Sequence, residues 1–360
     1  MVKIAEKFIE KILQDFYPDN YQHIYESSLL LQYLDKKMKA VHGHSKARRS
    51  LANIYAIYSI LHFYQAEFYE QPDKYRQFEG YDYTQLFNFC REQYGGSKLQ
   101  NHALNSRVNG EFRNKFQMIT NDLIISDNGK YLLHIDYLYV ENMDISRAVC
   151  AVIKKYIALL KEKDYALIQI LEDMLSLNDC MEKKKAINDL LSEDAEARVF
   201  EIISYAVLKN HYKNTKVFWG YSRENIQEAE LQLFKTGRTN ANDGGIDFVM
   251  RPVGRFFQVT EVNNYDKYLL DIDKVMHFPI TFVIKTKLKK DQIWEELKVY
   301  IDKRANGMRV IENRYRNAIE EIITINELQQ WIFELNDEDI NGIIRDIDIY
   351  YKLEMDLHVN

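Results

Sequence analysis

Hydrophobic residues in the first 120 positions recur mainly at the spacing of an α-helix. One apolar stripe runs through residues 51–61, and residues 83–94 show the same period over a shorter stretch. Gly95-Gly96 then interrupts the pattern, and Ser97 can cap a further helix, predicted over Lys98–Lys115. The pattern therefore predicts a mainly helical N-terminal part. The members of the first stripe are Leu51, Ile54, Tyr55, Tyr58 and Leu61.

Two short apolar runs follow this predicted helix, at Leu123–Ile125 and Tyr131–Ile135, and Ser126-Asp127-Asn128-Gly129 joins them. An Asn-Gly pair between apolar runs is a strong signal for a β-hairpin. Helix, glycine turn, helix and hairpin is the order of a winged helix. In such a domain the helix at 98–115 would enter a groove of DNA, whereas the alternative is an ordinary exposed polar helix.

The polar side chains of this predicted helix suit the reading of base edges. Asn can pair with adenine through two hydrogen bonds, and Arg can do the same with guanine. Such a guanine contact by Arg107 would contribute roughly 1–3 kcal/mol to specific binding. A basic run without an acid, residues 36–49, precedes the helix. The candidate DNA-binding residues are Asn101, His102, Asn105, Arg107, Asn109, Arg113, Lys46, Arg48 and Arg49.

The period of the hydrophobic pattern changes after a helical stretch that extends from Ser146 to about Leu191. Helices and strands then alternate, which predicts an α/β unit with a mixed sheet, and residues 292–360 look helical again. We therefore expect a recognition domain (1–145), a helical connector (146–191), an α/β core (192–300) and C-terminal helices (301–360). The predicted core elements are helix Glu193–Tyr212, strand Lys216–Trp219, helix Glu224–Phe234, strands Ile246–Met250 and Arg255–Val262, helix Tyr265–His277 and strand Ile280–Lys285.

Composition narrows the class of protein. The chain has 360 residues, 46% of them hydrophobic, which is enough for two or three packed units. No apolar stretch reaches the roughly 18 residues that a membrane span needs. The three cysteines, Cys90, Cys150 and Cys180, lie far apart without metal-ligand spacing, which favours a cytoplasmic location. The net charge of −6 argues against a protein that coats nucleic acid, but a second basic run at 285–290 leaves room for local DNA contacts.

The candidate chemistry lies in the segment GRTNANDGGIDFVMRPVGRFFQVTE. Asp247 begins a predicted strand after two glycines, and Gln258 lies eleven residues later on the paired strand. Because alternate residues of a strand share a face, Gln258 and Thr260 should point away from Phe257 and Val259. Phe257 and Val259 are expected in the core. Gln258 and Thr260 are therefore expected to face a cleft together with Asp247.

The sequence DGGID, followed by a hairpin and FFQV, resembles the PD-(D/E)XK nuclease superfamily, especially its Mrr-like branch and many type II restriction endonucleases. In that family an Asp and an (E/D/Q)-x-K tripeptide share a metal site on adjacent strands, matched here by Asp247 and Gln258. The preceding helix often supplies a Glu, which would be Glu201. The resemblance implies a PD-(D/E)XK core over about 195–286, with Mg²⁺ bound by these three side chains and the carbonyl of Val259.

One position departs from the family pattern, because Thr260 stands where the family has lysine and cannot supply a positive charge. Lysine could come from the next helix, where Lys267 is the nearest candidate and would lie near the two motif residues. Alternatively, Glu261 could take the acidic role through a bulge, with Lys267 or Lys274 nearby. Thirdly, the site could be inactive or altered. The candidate catalytic residues are Asp247, Gln258, Glu201, Glu261, Thr260 and Lys267.

The resemblance implies a sequence-specific type II restriction endonuclease that hydrolyses double-stranded DNA with Mg²⁺. A homodimer is expected, because two symmetric cuts need two sites. A separate cognate DNA methyltransferase is expected in the host, because this chain has no methyltransferase signature. The alternatives are an Mrr-like nuclease directed at modified DNA and a non-catalytic DNA-binding protein that retains the nuclease fold. A P-loop and a GxSxG elbow are both absent from the sequence.

Overall fold

A computed structural model describes residues 3–38, 51–97, 99, 104–117, 119, 121–236, 246–261 and 265–355 of the chain. Its residues divide into two compact units, Met1–Ala166 and Leu167–Asn360. Helices and several small sheets make up these units, which confirms the expected α/β class. None of the helices in the described part of the chain is long and apolar enough to cross a lipid bilayer.

The first unit is mainly helical, as the hydrophobic pattern predicts. All five residues of the predicted stripe at 51–61 are buried in its core. The helix predicted from Lys98 begins only at Ser106, and Leu104 and Asn105 form a turn before it. The helices are α1 (Lys3–Phe16), α2 (Tyr21–Ser27), α3 (Leu29–Met38), α4 (Leu51–Glu67), α5 (Pro72–Tyr75), α6 (Tyr83–Glu92), α7 (Ser106–Lys115) and α8 (Ser146–Ser176), which continues into the second unit.

Short strands complete the first unit. Strands β2 (Ile124–Asp127) and β3 (Lys130–Leu133) pair in antiparallel fashion, which confirms the predicted hairpin. Asn128 and Gly129 at its turn have φ angles of 46° and 79°, the left-handed backbone that a tight hairpin turn requires. Strand β1 (Tyr81–Asp82) adds to β3, and β4 (Tyr139–Val140) pairs with β5 (Met143–Asp144).

The second unit contains a five-stranded mixed sheet with the strand order β12-β11-β10-β9-β8. Strand β9 runs antiparallel to both of its neighbours, β8 and β10, whereas β10, β11 and β12 run parallel to one another. Its elements are α9 (Cys180–Leu190), α10 (Ala197–Tyr212), β6 (Lys216–Trp219), β7 (Gln227–Glu230), β8 (Gln232–Lys235), β9 (Phe248–Arg251), β10 (Arg255–Glu261), α11 (Tyr265–Lys274), β11 (Ile280–Lys285), α12 (Lys290–Ala305), α13 (Arg309–Ala318), β12 (Ile319–Thr324), α14 (Ile325–Glu334) and α15 (Asp337–Met355).

The predicted helix Glu224–Phe234 is wrong, because residues 227–230 and 232–235 form the two strands β7 and β8. Strand β7 pairs with β6, and β8 pairs with β9. In β8 the buried Leu233 lies between exposed neighbours, which is the two-residue period of a strand at a sheet edge. Gln and Glu in this segment favour a helix, but the pairing of β7 with β6 and of β8 with β9 outweighs that local preference.

The last strand of the sheet, β12, lies in a region where only helices were predicted. Its sequence IEEIIT pairs in parallel with β11 and buries Ile322 and Ile323. The two glutamates divide the apolar run, so that the local pattern does not have the continuous hydrophobicity typical of a buried parallel strand. The expected end of the core at residue 300 leaves this strand out, and the sheet extends to Thr324.

Strand β10 lies in the middle of the sheet and has a different helical layer on each side. Phe257 contacts Tyr212 of α10, with ring centroids 6.3 Å apart. Phe256 points the other way, against Phe278 and the cluster formed with α11 and α12. The alternation predicted for β10 is therefore confirmed, but Val259, which was expected in the core with Phe257, is only partly buried. The two layers fix which side chains of β10 meet α10 and which meet α11.

The C-terminal part of α10 carries a histidine with a perturbed pKa. The His211 ring stacks on Trp331 with 3.8 Å between ring centroids. Although His211 is exposed, partial desolvation lowers the pKa of its imidazole; Glu321 and Glu334 oppose this change, and the nearby Arg255 acts in the same direction as desolvation. Because the folded state holds this proton more weakly than the unfolded state, protonation of His211 favours unfolding.

We expect the free energy of unfolding to fall as the pH decreases below about 6.5, the ordinary pKa of histidine. A His211→Phe variant should keep a ring against Trp331 and lose this part of the pH dependence. Urea unfolding followed by tryptophan fluorescence at about pH 7.5 and about pH 5.5 compares the two proteins. An equal loss of stability in both proteins at the lower pH would contradict the assignment.

Candidate functional site

Asp247 lies directly before β9, where two hydrogen bonds tie it to β10. Its backbone N–H donates to the carbonyl of Phe257 at 2.9 Å, and the N–H of Val259 donates to its Oδ2 at 2.7 Å. These two bonds bracket Gln258 in the chain. The structure therefore brings the two motif residues of the sequence side by side, Gln258 on β10 and Asp247 directly before β9, with the Asp247 carboxylate held at β10.

Gln258 carries an acceptor without a hydrogen-bond partner. Its side chain is only 7% exposed, and its Nε2 donates to the carbonyl of Val259 at 3.2 Å. Its Oε1 is buried and accepts no hydrogen bond within the described part of the chain. A buried acceptor left in this state costs about 1–3 kcal/mol. The need of this oxygen for a hydrogen-bond donor or a cation is therefore unmet among the described residues.

Thr260 lies on the same side of β10 as Gln258 and is 5% exposed. Its hydroxyl is close to that of Tyr268 on α11, and burial raises the pKa of Tyr268. The sequence predicts an open cleft at these two side chains, and this prediction is wrong. Both face α11 because the buried residues Tyr265, Tyr268 and Leu269 of that helix cover this face of the sheet.

Glu201, the predicted third acid, lies on α10 and forms an ion pair with Lys235 of β8 at 2.9 Å. The same ammonium is 3.9 Å from Glu354 of α15, which in turn pairs with Arg198 at 2.5 Å. All four side chains are mostly buried. Lys235 pairs in register with Phe248, the residue that follows Asp247. A neutralised ion cluster therefore lies beside the strand that carries Asp247.

Lys267 does not occupy the place that the sequence predicts. Its side chain is exposed on α11, outside the buried stripe that faces the sheet. Lys274, the other candidate on this helix, forms an ion pair with Asp271 at 2.7 Å. The prediction that the Lys267 ammonium lies near Gln258 and Asp247 is wrong, because the stripe that turns toward β10 is formed by apolar and aromatic residues.

Glu261 ends β10, where it is exposed and pairs in register with Lys285 of β11. The Lys285 ammonium lies 2.6 Å from the Glu261 carboxylate and also donates to the carbonyl of Ala195. The cation beside Glu261 is thus Lys285, and neither Lys267 nor Lys274 has that position.

Lys235 and Lys285 are the charged residues near the motif that the sequence interpretation missed. Lys285 belongs to the basic run at 285–290, but only the parallel pairing of β11 with β10 in the structure places it at Glu261. Lys235 directly follows the segment predicted as helix Glu224–Phe234. Only a strand at this position brings Lys235 beside β9.

The DNA-binding residues predicted in the first unit have different surroundings. Arg107 is about half exposed and pairs with Glu111 at 3.3 Å, Arg113 pairs with Asp122, and Asn105 precedes α7. The prediction that Asn109 lies on the exposed polar face is wrong, because its buried amide bonds both backbone groups of Ile124 at 2.8 and 2.9 Å. Asn101, His102, Lys46, Arg48 and Arg49 lie outside the described residues.

The motif offers oxygen atoms of the kind that a hard divalent cation binds. Such ions bind carboxylate, amide and carbonyl oxygens. Asp247 and the unpaired Oε1 of Gln258 fit this chemistry, whereas Glu201 is already neutralised by Lys235. Across the described residues, no cluster of three or more His, Cys, Asp or Glu side chains is arranged to hold a metal ion. The fit therefore rests on Asp247 and Gln258.

Comparisons with protein-family models, with curated proteins and with solved structures gave no match. Any function given to this chain consequently depends on the geometry around Asp247 and on the chemistry of its residues.

Proposed function

We propose that this chain is a Mg²⁺-dependent endonuclease of the PD-(D/E)XK kind that cuts double-stranded DNA at a specific sequence, as a type II restriction enzyme does. The observation that carries the proposal is the attachment of Asp247 to β10 on both sides of Gln258, whose Oε1 is buried and unpaired among the described residues. An oxygen-bearing side chain on β10 and another directly before β9 are the minimal part of such a metal site.

Asp247 and Gln258 would hold the metal ion, with the Val259 carbonyl as a further oxygen close by. Mg²⁺ bound there would supply an activated water and stabilise negative charge on the phosphate. The protein contributes a fixed carboxylate, because the Val259 N–H prevents Asp247 from rotating freely. Glu201 would act through Lys235, by keeping that lysine oriented beside β9.

The positive charge that Thr260 cannot provide would come from Lys235 or Lys285. Both ammonium groups already pair with carboxylates, Glu201 and Glu261 respectively. An incoming phosphate would compete with these carboxylates for the ammonium groups. This role replaces the one predicted for Lys267.

The first unit is proposed to recognise DNA through a winged-helix-like arrangement of α6, α7 and the β2–β3 hairpin. The exposed Arg107 and Arg113 of α7 are the described residues that support this role, and a phosphate or base would compete with Glu111 and Asp122 for them. We also propose a homodimer and a separate cognate methyltransferase.

The test of this function is incubation of supercoiled plasmid with the full chain in Mg²⁺, with EDTA as the matched control. Linear products with defined ends that form only with Mg²⁺ are expected, because hydrolysis depends on the bound ion. Products that persist in EDTA would contradict the proposal. Parallel digests of modified and unmodified plasmid distinguish the type II enzyme from an Mrr-like nuclease that requires modified DNA.

A second candidate function is a DNA-binding protein that retains the nuclease fold without catalysis. The observation that favours it is the burial of Thr260 against Tyr268, together with the pairing of Lys235 and Lys285 to carboxylates. Specific DNA binding without cleavage of either modified or unmodified plasmid would support this function.

A further inference from the structure

The segment Thr286–Lys289, here named the lysine loop, connects β11 to α12 and presents two exposed lysines. Lys287 and Lys289 are both exposed, and neither has a carboxylate within ion-pair distance in the part of the chain that the structure describes. Their neighbours in the same basic run differ, because Lys285 pairs with Glu261 and Lys290 lies 3.7 Å from Glu321 and Glu327. The lysine loop therefore carries two ammonium groups that form no ion pair with a carboxylate among the described residues.

The backbone of the lysine loop is fixed from several sides. The Glu193 carboxylate accepts hydrogen bonds from the Lys287 N–H at 3.0 Å and from the Thr286 hydroxyl at 3.3 Å. Asn326 donates to the Lys287 carbonyl at 3.0 Å, and the Thr286 hydroxyl accepts from the Leu288 N–H at 3.1 Å. Because these hydrogen bonds fix the backbone, the two lysine side chains extend into solvent from defined positions, although the side chains themselves are flexible.

The loop lies at the same end of the sheet as the proposed metal site. Gln258 pairs in register with Phe282, and Glu261 pairs with Lys285. At about 3.3 Å per residue, Lys287 lies roughly 17 Å or less along the chain from the partner of Gln258. The axial rise in DNA is about 3.4 Å per nucleotide on one strand, so this span corresponds to roughly five nucleotides or fewer.

We infer that the lysine loop contacts the phosphate backbone of double-stranded DNA a few nucleotides from the phosphate that is cut. Two exposed ammonium groups without an ion pair among the described residues, carried on a fixed loop, suit a polyanion whose charges recur at short intervals, and they carry no sequence information. The inference rests on the proposed nuclease function, because DNA is the polyanion for which Asp247 and Gln258 would form the site.

The test measures binding of a duplex of about 30 base pairs without Mg²⁺, so that no cleavage occurs, at several salt concentrations. The double variant Lys287→Gln/Lys289→Gln is compared with the wild type. Its affinity should fall by roughly tenfold at about 0.1 M salt, and the slope of log affinity against log salt should decrease by about 1.8. The expected slope change is the loss of two phosphate contacts at about 0.9 each.

The matched control is Lys185→Gln/Lys303→Gln, which removes the same charge at exposed lysines of α9 and α12. It should bind DNA like the wild type. Equal loss of affinity in both double variants would indicate a net-charge effect and overturn the role of the loop, as would wild-type binding by the loop variant. If either of these results occurs while Mg²⁺-dependent cutting stays normal, the role of the lysine loop is overturned and the nuclease proposal remains intact. Failure of the wild type to bind or cut DNA would overturn both proposals.

Discussion

Replacement of Asp247 by Asn is expected to lower the rate of Mg²⁺-dependent DNA cleavage by roughly 100-fold or more, because it removes the carboxylate at the centre of the proposed metal site. The amide oxygen of Asn can still accept the hydrogen bond from the Val259 N–H, which Asp247 accepts at 2.7 Å. The attachment of residue 247 to β10 should therefore survive the substitution. DNA affinity measured without Mg²⁺ should remain close to that of the wild type.

The matched control is Asp189→Asn, which makes the same chemical change at an exposed position of α9. This variant should cleave plasmid at the wild-type rate. Near-normal cleavage by Asp247→Asn would place the metal site elsewhere and end the assignment. A loss of cleavage together with a loss of thermal stability would point to a structural role, so each variant also requires an unfolding curve.

Replacement of Asp144 by Ala is expected to destabilise the first unit by about 3–5 kcal/mol. The Asp144 carboxylate is buried and accepts hydrogen bonds from the Tyr64 hydroxyl at 2.7 Å and from the N–H groups of Glu70 and Ser146 at 3.0 and 2.9 Å. Alanine removes the acceptor of two buried donors, the Tyr64 hydroxyl and the Ser146 N–H, and of the partly buried Glu70 N–H. Burial raises the pKa of Tyr64, and its hydrogen bond to Asp144 acts in the same direction.

Urea unfolding followed by far-ultraviolet circular dichroism measures this effect. All three tryptophans, Trp219, Trp294 and Trp331, belong to the second unit, so that fluorescence reports on that unit and circular dichroism reports on both. The Asp144→Ala transition should occur at lower urea in the circular dichroism signal. Asp15→Ala, at an exposed position of α1, is the control and should change stability by less than about 0.5 kcal/mol. An unchanged transition in Asp144→Ala would contradict the prediction.

Several features of the fold could be predicted from the sequence because they depend on neighbouring residues alone. The β2–β3 hairpin follows from Asn128-Gly129, and the strand Ile280–Lys285 follows from a continuous apolar run. The alternation of β10 follows from the two-residue period of a strand, which put Gln258 and Thr260 on one side and Phe257 on the other. Local periodicity and turn chemistry were sufficient for each of these features.

The surroundings of those residues were decided by the tertiary structure. The sequence indicates that Gln258 and Thr260 share a face, but only the packing of α11 shows that this face is buried. The helical pattern places Asn109 among the exposed polar residues, whereas in the structure its amide bonds the backbone of Ile124 in β2. The period of a helix or strand predicts which residues share a face, but it does not predict which other element will pack against that face.

The distribution of charge around the motif also required the tertiary structure. Lys235 reaches Glu201 only because residues 232–235 form a strand beside β9, and Lys285 reaches Glu261 only because β11 runs parallel to β10. Lys267, nearer in sequence to Thr260, is exposed because α11 turns its apolar stripe toward the sheet. Ion pairs between separate elements depend on which strands are neighbours, and that is decided by long-range burial and pairing rather than by the spacing of residues along the chain.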